Sequence, residues 1–597
     1  MPENRNQDVA VVGSPSTNTE LTLDLLQEAT EERLVGALTT FQAMQDRNRI
    51  ISVGQVVGIE LKNRWHEDSV FRNLVKRTGD IPPITNRQDT RIADLVVGAT
   101  FKESNLGFEP EVLGMVPATG TRVARVDQRL LDDLLRVYRD EIFYLGQAYA
   151  NDIPYPMWFK HFGNNKQGSG GAGEAYHIGV FGKTGSGKSG LAKMMLCAYA
   201  RHPSLGVLVI DPQGEFALEL IGTRVGSQGL QLDQVLQEQG RAIEVYRISD
   251  IQLDDWNTFE EMLVTLGFCG ELTVETPDNA SRAAEVIRKA LERARQNGQK
   301  KFYLDNLGTQ DALRAALEAV KNSRQTEYIY HSREPRTRLE NRVQDIIDNR
   351  LETVFLDKWQ PLCDLFARGK KRRKLYGIVK ELMGSAGQSS ARPVIVLDLS
   401  ARGNQARFWT EELERRLLRK LLNVLIAQST ASLTTQESAN VLVLLDEAHR
   451  HAPSGRIEDN TEASRLRTLL RRAVRETRKY GLGWFFISQT LGGIDNEILQ
   501  QLRILAFGFG LTLGTEFDRL RDFGGGDKRS LELYQSFRDP QTFPDKKLQE
   551  FPFMAVGPVS PLAFSGKPIF FTMFTDMDSF LQKNKITAQV REARGER

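Results

Sequence analysis

From about Arg33 to Arg125 the apolar positions come in short runs: RLVGALTTFQAM, RIISVGQVVGIEL, RIADLVVGATF and EVLGMVPATGTRVARV. Each is closed by Gly, Asn, Asp or Pro, the punctuation of strands in a small sheet or barrel. Residues 1–20 ahead of them are polar and rich in Ser, Thr and Asn, which predicts disorder. Over 128–140 the period changes: Leu130, Leu131, Leu134, Leu135 and Tyr138 fall on one side of a predicted helix. The stretch GNNKQGSGGAGEA at 163–175 then breaks the pattern.

Beyond the break, strand-like and helix-like segments alternate. HIGVF (177–181), GVLVI (206–210), PVIVLDLS (393–400), NVLVLL (440–445) and GWFFIS (483–488) read as continuous apolar strands. SGLAKMMLCAYAR (189–201), EELERRLLRKLLNVLIA (411–427) and a basic segment at 462–479 read as helices between them. Buried strands alternating with helices predict an α/β fold whose parallel sheet is covered on both faces. Residues 251–390 differ. ASRAAEVIRKALERARQNG (280–298) and RTRLENRVQDIIDNRLETVF (336–355) keep helical spacing, as in Leu339, Val343, Ile346, Ile347 and Leu351. An all-helical insertion of about 140 residues is expected there.

Charge narrows the functional classes. Lys and Arg number 79 against 77 Asp and Glu, a net +2, so any case for nucleic acid rests on local clusters. Cys197, Cys269 and Cys363 are too far apart for a zinc knuckle or redox pair, and an odd count fits a reducing cytosol better than a disulfide framework. No apolar run reaches the ~18–20 residues of a membrane span, and the first residues lack the pattern of a signal peptide. A cytoplasmic protein without a membrane partner is expected.

GKTGSGKS at 182–189 matches Gly-x-x-x-x-Gly-Lys-[Ser/Thr] and sits between a predicted strand and helix. Gly182, Gly185 and Gly187 free the backbone to approach a phosphate, and Lys183, Thr184 and Ser186 complete the loop. Lys188 is expected on the β/γ-phosphates of a nucleotide and the Ser189 hydroxyl on magnesium. VLVLLDEAH places Asp446 and Glu447 at the end of a buried strand, where open parallel sheets bind ligands. Asp446 can hold hydrated magnesium and Glu447 can polarise the attacking water; a helix-capping acid is the competing explanation. VLVIDPQGEF brings Asp211 and Glu215 to the same edge, and FFISQT brings Gln489, an amide able to sense a γ-phosphate. Solvated polar residues after strands would look the same. His449 reads as a structural residue of its turn, and no zinc site is expected.

Two basic clusters remain. RLRTLLRRAVRETRK (465–479) carries Arg471, Arg475 and Arg478 on one helix face, where an arginine could reach a neighbouring subunit's nucleotide; a solvated helix paired with acids such as Glu476 is the alternative. RGKKRRK (368–374) could meet DNA phosphates or simply be a solvated run.

In this order, EAYHIGVFGKTGSGKS, VLVIDPQGEF, VLVLLDEAH and GWFFISQ resemble the HerA branch of the HerA/FtsK ATPases. The resemblance is specific over 175–250 and 390–515 and looser over 30–165. It implies a RecA-like P-loop ATPase core, a small N-terminal β-barrel and a helical insertion. The divisions it suggests are a disordered 1–20, a barrel at 21–127, core at 128–250 and 391–560, the insertion at 251–390, and a tail at 561–597. It implies ATP and Mg2+ as ligands, and a homohexameric ring that hydrolyses ATP between subunits and moves double-stranded DNA. Lys188 and Ser189 then serve the nucleotide, Asp446 and Glu447 the metal and water, Gln489 the sensor, and an arginine of 472–478, taken as Arg475, acts on the neighbour. Relatives often carry a basic residue where this chain has Tyr176. HerA-type motors work with a second protein, a nuclease or an effector such as a sirtuin-like NAD hydrolase, in DNA end processing or bacterial anti-phage defence, with docking expected on the barrel side. The competing functions are a ring ATPase that scaffolds or activates an effector with little translocation, and a conjugation-type coupling ATPase or nucleotide switch. The lack of membrane helices speaks against coupling, and a poised acidic pair against a switch.

Overall fold

The computed structural model describes residues 8–79, 81, 85, 87–105, 107–160, 175–221, 230–369, 371–384, 391–400, 410–434, 438–459, 461–525, 527–545, 548–563 and 566–586. The first strands are β1 (Asp8–Val12), β2 (Glu20–Leu25), β3 (Leu38–Gln45), β4 (Asn48–Lys62), β5 (Thr90–Ser104), β6 (Gly107–Glu111) and β7 (Arg122–Arg125). They run in the order β2-β1-β7-β3-β4-β5, and β2 pairs back with β5, so six strands close a barrel that β6 extends as a hairpin. Asp46 and Arg47, both at positive φ, form the two-residue turn between β3 and β4, the conformation that matches the twist of a hairpin.

Two expectations for this region fail. Disorder was expected over 1–20, yet residues 8–20 are described and β1 buries Val9, Ala10 and Val12 in the barrel core. Local polarity hid a strand whose partners, β2 and β7, complete the closure. The β-like texture also concealed two helices between β4 and β5, Arg64–Glu67 and Ser69–Thr78. Their signal lay in Asn63 and Asp68, whose side chains accept from the backbone N–H groups of His66 and of Val70 and Phe71. Neither helix has a buried residue; Trp65 and Phe71 pack edge to face, centroids 5.0 Å apart.

The chain continues through the helix Gln128–Leu134 into β8 (Ile142–Ala148) and β9 (Pro154–Trp158). The Gly-rich break at 163–175 lies outside the described residues except for Ala175. Then come β10 (Ile178–Phe181), the helix Lys188–Ala200, β11 (Gly206–Asp211) and β12 (Ile243–Arg247). The insertion is helical, with Trp256–Thr265, Pro277–Arg293, Gln310–Lys321 and Arg333–Asp345 as its main helices. Leu339, Val343 and Ile346 are buried along the predicted face. It is not wholly helical: two-residue strands pair as β13 (Ile251–Gln252) with β16 (Arg373–Lys374), and β14 (Arg295–Gln296) with β15 (Gln299–Lys300). The helix Leu375–Met383, expected in the insertion, returns to the core, where Leu382 lies against Gly206 of β11. Amphipathic spacing is the same whichever surface a helix covers.

The core closes with β17 (Val394–Asp398), the helix Glu411–Thr434, β18 (Val441–Leu445), the helix Glu462–Glu476, β19 (Leu482–Ser488), β20 (Ile504–Gly508), β21 (Pro552–Val556) and β22 (Ile569–Met573). One sheet of eleven strands runs β12-β17-β11-β18-β19-β10-β20-β21-β22-β8-β9. Pairings from β12 to β20 are parallel; those from β20 to β9 are antiparallel. The supposed tail at 561–597 therefore contains a sheet strand, β22, and a helix, Met577–Lys583, whose Phe580 ring packs 5.6 Å from that of Phe143. Pairing across more than 400 residues leaves no local trace.

Barrel and core are joined by a buried amide. Gln55 of β4 donates to the carbonyls of Gly36 and Phe570, and accepts from the Phe570 N–H at 2.9 Å. An amide with its donors and acceptor all satisfied in a buried seam specifies one docking geometry. The three cysteines are free and buried, and burial pushes the Cys269 thiol up to about 12.

Candidate functional site

Register sets the site. Phe181 of β10 lies beside Ser488 of β19, and Leu445 of β18 lies beside Phe486 of β19 and Ile210 of β11. All four strands therefore end at one edge, where Gly182, Gln489 and Asp446, each just past its strand, and Asp211, the last residue of β11, emerge side by side. The strand carrying Gln489 separates the phosphate loop from the acidic pair.

The loop is shaped by glycine where glycine is needed. Gly185 (φ +83) and Gly187 (φ +85) are left-handed, a region costly for other residues. A Cβ on Gly185 would strike the amide of Gln541, and one on Gly187 would sit 2.7 Å from the Phe551 ring. The Lys183 N–H donates to the Phe509 carbonyl at 3.0 Å. Gly187→Ala is expected to lower the thermal midpoint by a cost of about 1–3 kcal/mol and to weaken nucleotide binding; differential scanning fluorimetry and calorimetric titration measure the two.

Lys188, only 7% exposed, opens the helix Lys188–Ala200 and pairs with no carboxylate among the described residues. The Ser186 hydroxyl is buried without a hydrogen-bond partner among the described residues. An unpaired ammonium beside a helix N-terminus is complementary to phosphate. Across the edge, burial raises Asp446 to about 7, with Asp211, Glu447 and Glu215 adding like charge. Among the described residues no cluster of three or more His, Cys, Asp or Glu could hold a metal alone. Magnesium keeps several waters and takes one or two protein ligands plus phosphate oxygens. Ser189 and Asp446 are the residues that would hold it, and it would neutralise charge on the phosphates.

Glu447 is the most constrained group here. It is buried, at φ 45° and ψ 46°, a strained conformation for a residue with a side chain. Its Oε1 accepts from Gln489 Nε2 at 2.6 Å and from Gln213 Nε2 at 2.9 Å. Gln489 Oε1 in turn accepts from the Thr184 hydroxyl at 2.8 Å. A hydrogen-bonded chain thus runs from the phosphate loop through Gln489 to Glu447. His449, expected to be merely structural, has Nδ1 3.3 Å from Glu447 Oε2 and from Ser488 Oγ. Gln213 was missed; only its place in DPQGE, one turn from Asp211, could have suggested it.

Asp211 departs from expectation. Fully buried, it accepts from the N–H groups of Gly214, Glu215 and Ala217 at 2.8–3.1 Å. It caps the helix Glu215–Leu220 rather than meeting a nucleotide, because both its oxygens are spent on backbone. Glu215 stays half-buried near Asp446. Arg471 is held by Asp495 at 2.5 Å and Glu497 at 3.1 Å. Arg475 is 55% exposed and only 3.8 Å from Glu497. In RGKKRRK, Arg368 pairs with Asp305, Arg372 donates to the Asp364 carbonyl and Lys374 lies 3.2 Å from Asp254; Lys370 is outside the described residues. Tyr176 carries the Arg503 guanidinium 5.0 Å over its ring. His177 is buried, lowered to about 4 by desolvation, and bonds the Val474 carbonyl at 2.8 Å.

The acidic turn runs on into a buried charged layer. Burial pushes Glu414 up to about 7 against the pull of Arg450. His451, 3.9 Å away, is held neutral by burial and lowered to about 3. Glu414 would titrate near 4.5 in the unfolded chain, so the folded form keeps its proton more tightly. Its contribution is fully present below about pH 4.5 and is lost as pH rises toward 7. His451 acts in the opposite sense below pH 6.5. Glu414→Gln should therefore raise the unfolding midpoint at pH 8 by about a few °C and change it little at pH 5, as thermal melts at the two pH values would record.

Loop, flanking strands and acidic pair define a RecA-like P-loop NTPase fold. Residues 175–379 match the family described as "Helicase HerA, central domain". The DNA double-strand break repair helicase HerA of Pyrococcus furiosus is 23% identical over 349 residues, which cover 55% of each chain; the match thus spans about half the relative's length. Similar solved structures include VirB4 of Thermoanaerobacter pseudethanolicus (14% identity, TM-score 0.35, 72% of this chain and 96% of that one). The bacterial conjugative coupling protein TrwBdeltaN70 is another (15%, TM-score 0.36, 76% and 92%). No described helix is long and apolar enough to cross a membrane.

Proposed function

We propose that this protein is a cytoplasmic, Mg2+-dependent ATPase that assembles as a homohexameric ring, moves double-stranded DNA, and serves a partner nuclease or effector enzyme in DNA end processing or anti-phage defence. The observation that carries the hydrolytic part is the chain Thr184–Gln489–Glu447. A carboxylate held at the sheet edge by two amides is positioned to accept a proton from water. The Gln489 amide, bonded to the loop on one side and to that carboxylate on the other, couples phosphate occupancy to it. Lys188 and the loop N–H groups grip phosphates, and Ser189 and Asp446 hold the metal. Arg475, exposed and weakly paired, is the residue offered to a neighbouring subunit's site, which is the reason to expect a ring. The DNA reading rests on the kinship with HerA.

ATP turnover with and without duplex DNA tests this function. Stimulation of several-fold supports a motor; indifference to DNA combined with stimulation by a partner protein makes the chain a scaffold or activator instead. Light scattering with ATP and DNA tests the ring, and a strict monomer would overturn it.

A further inference from the structure

Glu447 is anchored through one oxygen. Its Oε1 takes both amides, while its Oε2 is buried, has no hydrogen-bond partner among the described residues and lies 3.3 Å from His449 Nδ1. Two bonds on one oxygen make a pivot: the carboxylate can still turn and carry Oε2 with it. We infer that His449 is a positioning residue for ATP hydrolysis, fixing the direction of Oε2, the oxygen that takes the water's proton. The inference rests on the ATPase reading above and adds which oxygen acts and what holds it.

Hydrogen-bond accounting places the imidazole proton. The Ser488 hydroxyl has a single hydrogen, donated to the Thr490 carbonyl at 2.9 Å, and its oxygen accepts from the Thr490 N–H at 3.2 Å. Its remaining contact, 3.3 Å to His449 Nδ1, is therefore one in which the ring donates. Nδ1 thus carries a hydrogen, and that N–H faces two acceptors, Ser488 Oγ and Glu447 Oε2. Catalytic hydrogen bonds are commonly long before substrate binds and tighten with it. A carboxylate offers about four lone-pair sites. Gln489 and Gln213 take those on Oε1 and His449 faces one on Oε2, which leaves one for water.

The contact belongs to a seam between two turns. Ser454 N–H donates to the Gly493 carbonyl and Asp495 N–H to the Ala452 carbonyl, both at 2.9 Å. A Cβ on Gly493 would lie 3.5 Å from the His449 Cβ. The turn after β18, which carries Glu447, is thus laced to the turn after β19, which carries Gln489, and His449 joins them beside the carboxylate. A histidine kept for packing would be buried. The His449 side chain is 35% exposed, so its loss opens no core cavity.

Steady-state ATP hydrolysis by the full chain with duplex DNA tests this, comparing wild type with His449→Ala, His449→Asn and His449→Gln. His449→Ala should lower kcat about tenfold or more and leave KM for ATP within about twofold, because the contact serves turnover and not the grip on phosphate. Asn sets an amide N–H near the place of Nδ1, and Gln sets one nearer that of Nε2. His449→Asn should therefore recover most of the rate and His449→Gln little of it. Thermal melts verify folding, and if the alanine variant does not fold, the Asn and Gln variants decide alone. Unchanged kcat in a folded His449→Ala would overturn the role, as would equal rates for the Asn and Gln variants. Either result would leave the phosphate loop and Glu447 standing. A wild type that hydrolyses no ATP would bring down the ATPase reading itself, and this role with it.

Discussion

Replacing Lys188 with alanine should weaken ATP binding roughly a hundredfold while leaving the fold intact. The two effects have one cause. Lys188 makes no ion pair with a carboxylate among the described residues, so the fold without nucleotide draws no support from its charge. In the proposed site it would make charge-assisted contacts to phosphate oxygens, and losing these would cost about 3 kcal/mol, or roughly a hundredfold in Kd. Titration calorimetry should find the weakened binding, and a melt without nucleotide should give a midpoint equal to the wild type. A large fall in midpoint would mean that Lys188 is held by structure rather than reserved for a ligand.

Glu447→Gln should separate binding from turnover. The side chain keeps its shape and an oxygen able to accept from Gln489 and Gln213, so the chain of hydrogen bonds to Thr184 survives and ATP still binds. What goes is the ability to take a proton from water, worth about 10²–10⁴ in rate. The expected result is ATP affinity within a few-fold of wild type with hydrolysis reduced at least a hundredfold. Normal turnover in this variant would remove Glu447 from its role. Gln489→Ala gives a milder expectation, because it cuts the link to the loop and leaves Gln213 to hold the carboxylate.

Much of the site was legible because its signals are short and local. GKTGSGKS names its own geometry: left-handed Gly185 and Gly187 need glycine, and the helix after them begins at Lys188. The strands that carry the site were visible as apolar runs bounded by polar residues, since strands covered on both faces leave no position for solvent. Asp211 marks the limit of such reading. A strand-end aspartate is equally suited to a ligand or to capping the next helix, and only the orientation of three backbone N–H groups decides between them.

The amino-acid sequence alone determined the phosphate loop, the acidic pair and the alternation that builds a parallel sheet, because each depends on residues within one or two turns of chain. The tertiary structure alone decided how the barrel closes through β1, that β8, β9, β21 and β22 extend the sheet, and that Gln213 and Gln489 converge on Glu447. It also decided that a segment near residue 545 lies over a loop near residue 185. These contacts join residues tens to hundreds of positions apart, and pairing at that distance is selected by burial and hydrogen bonding in the assembled fold.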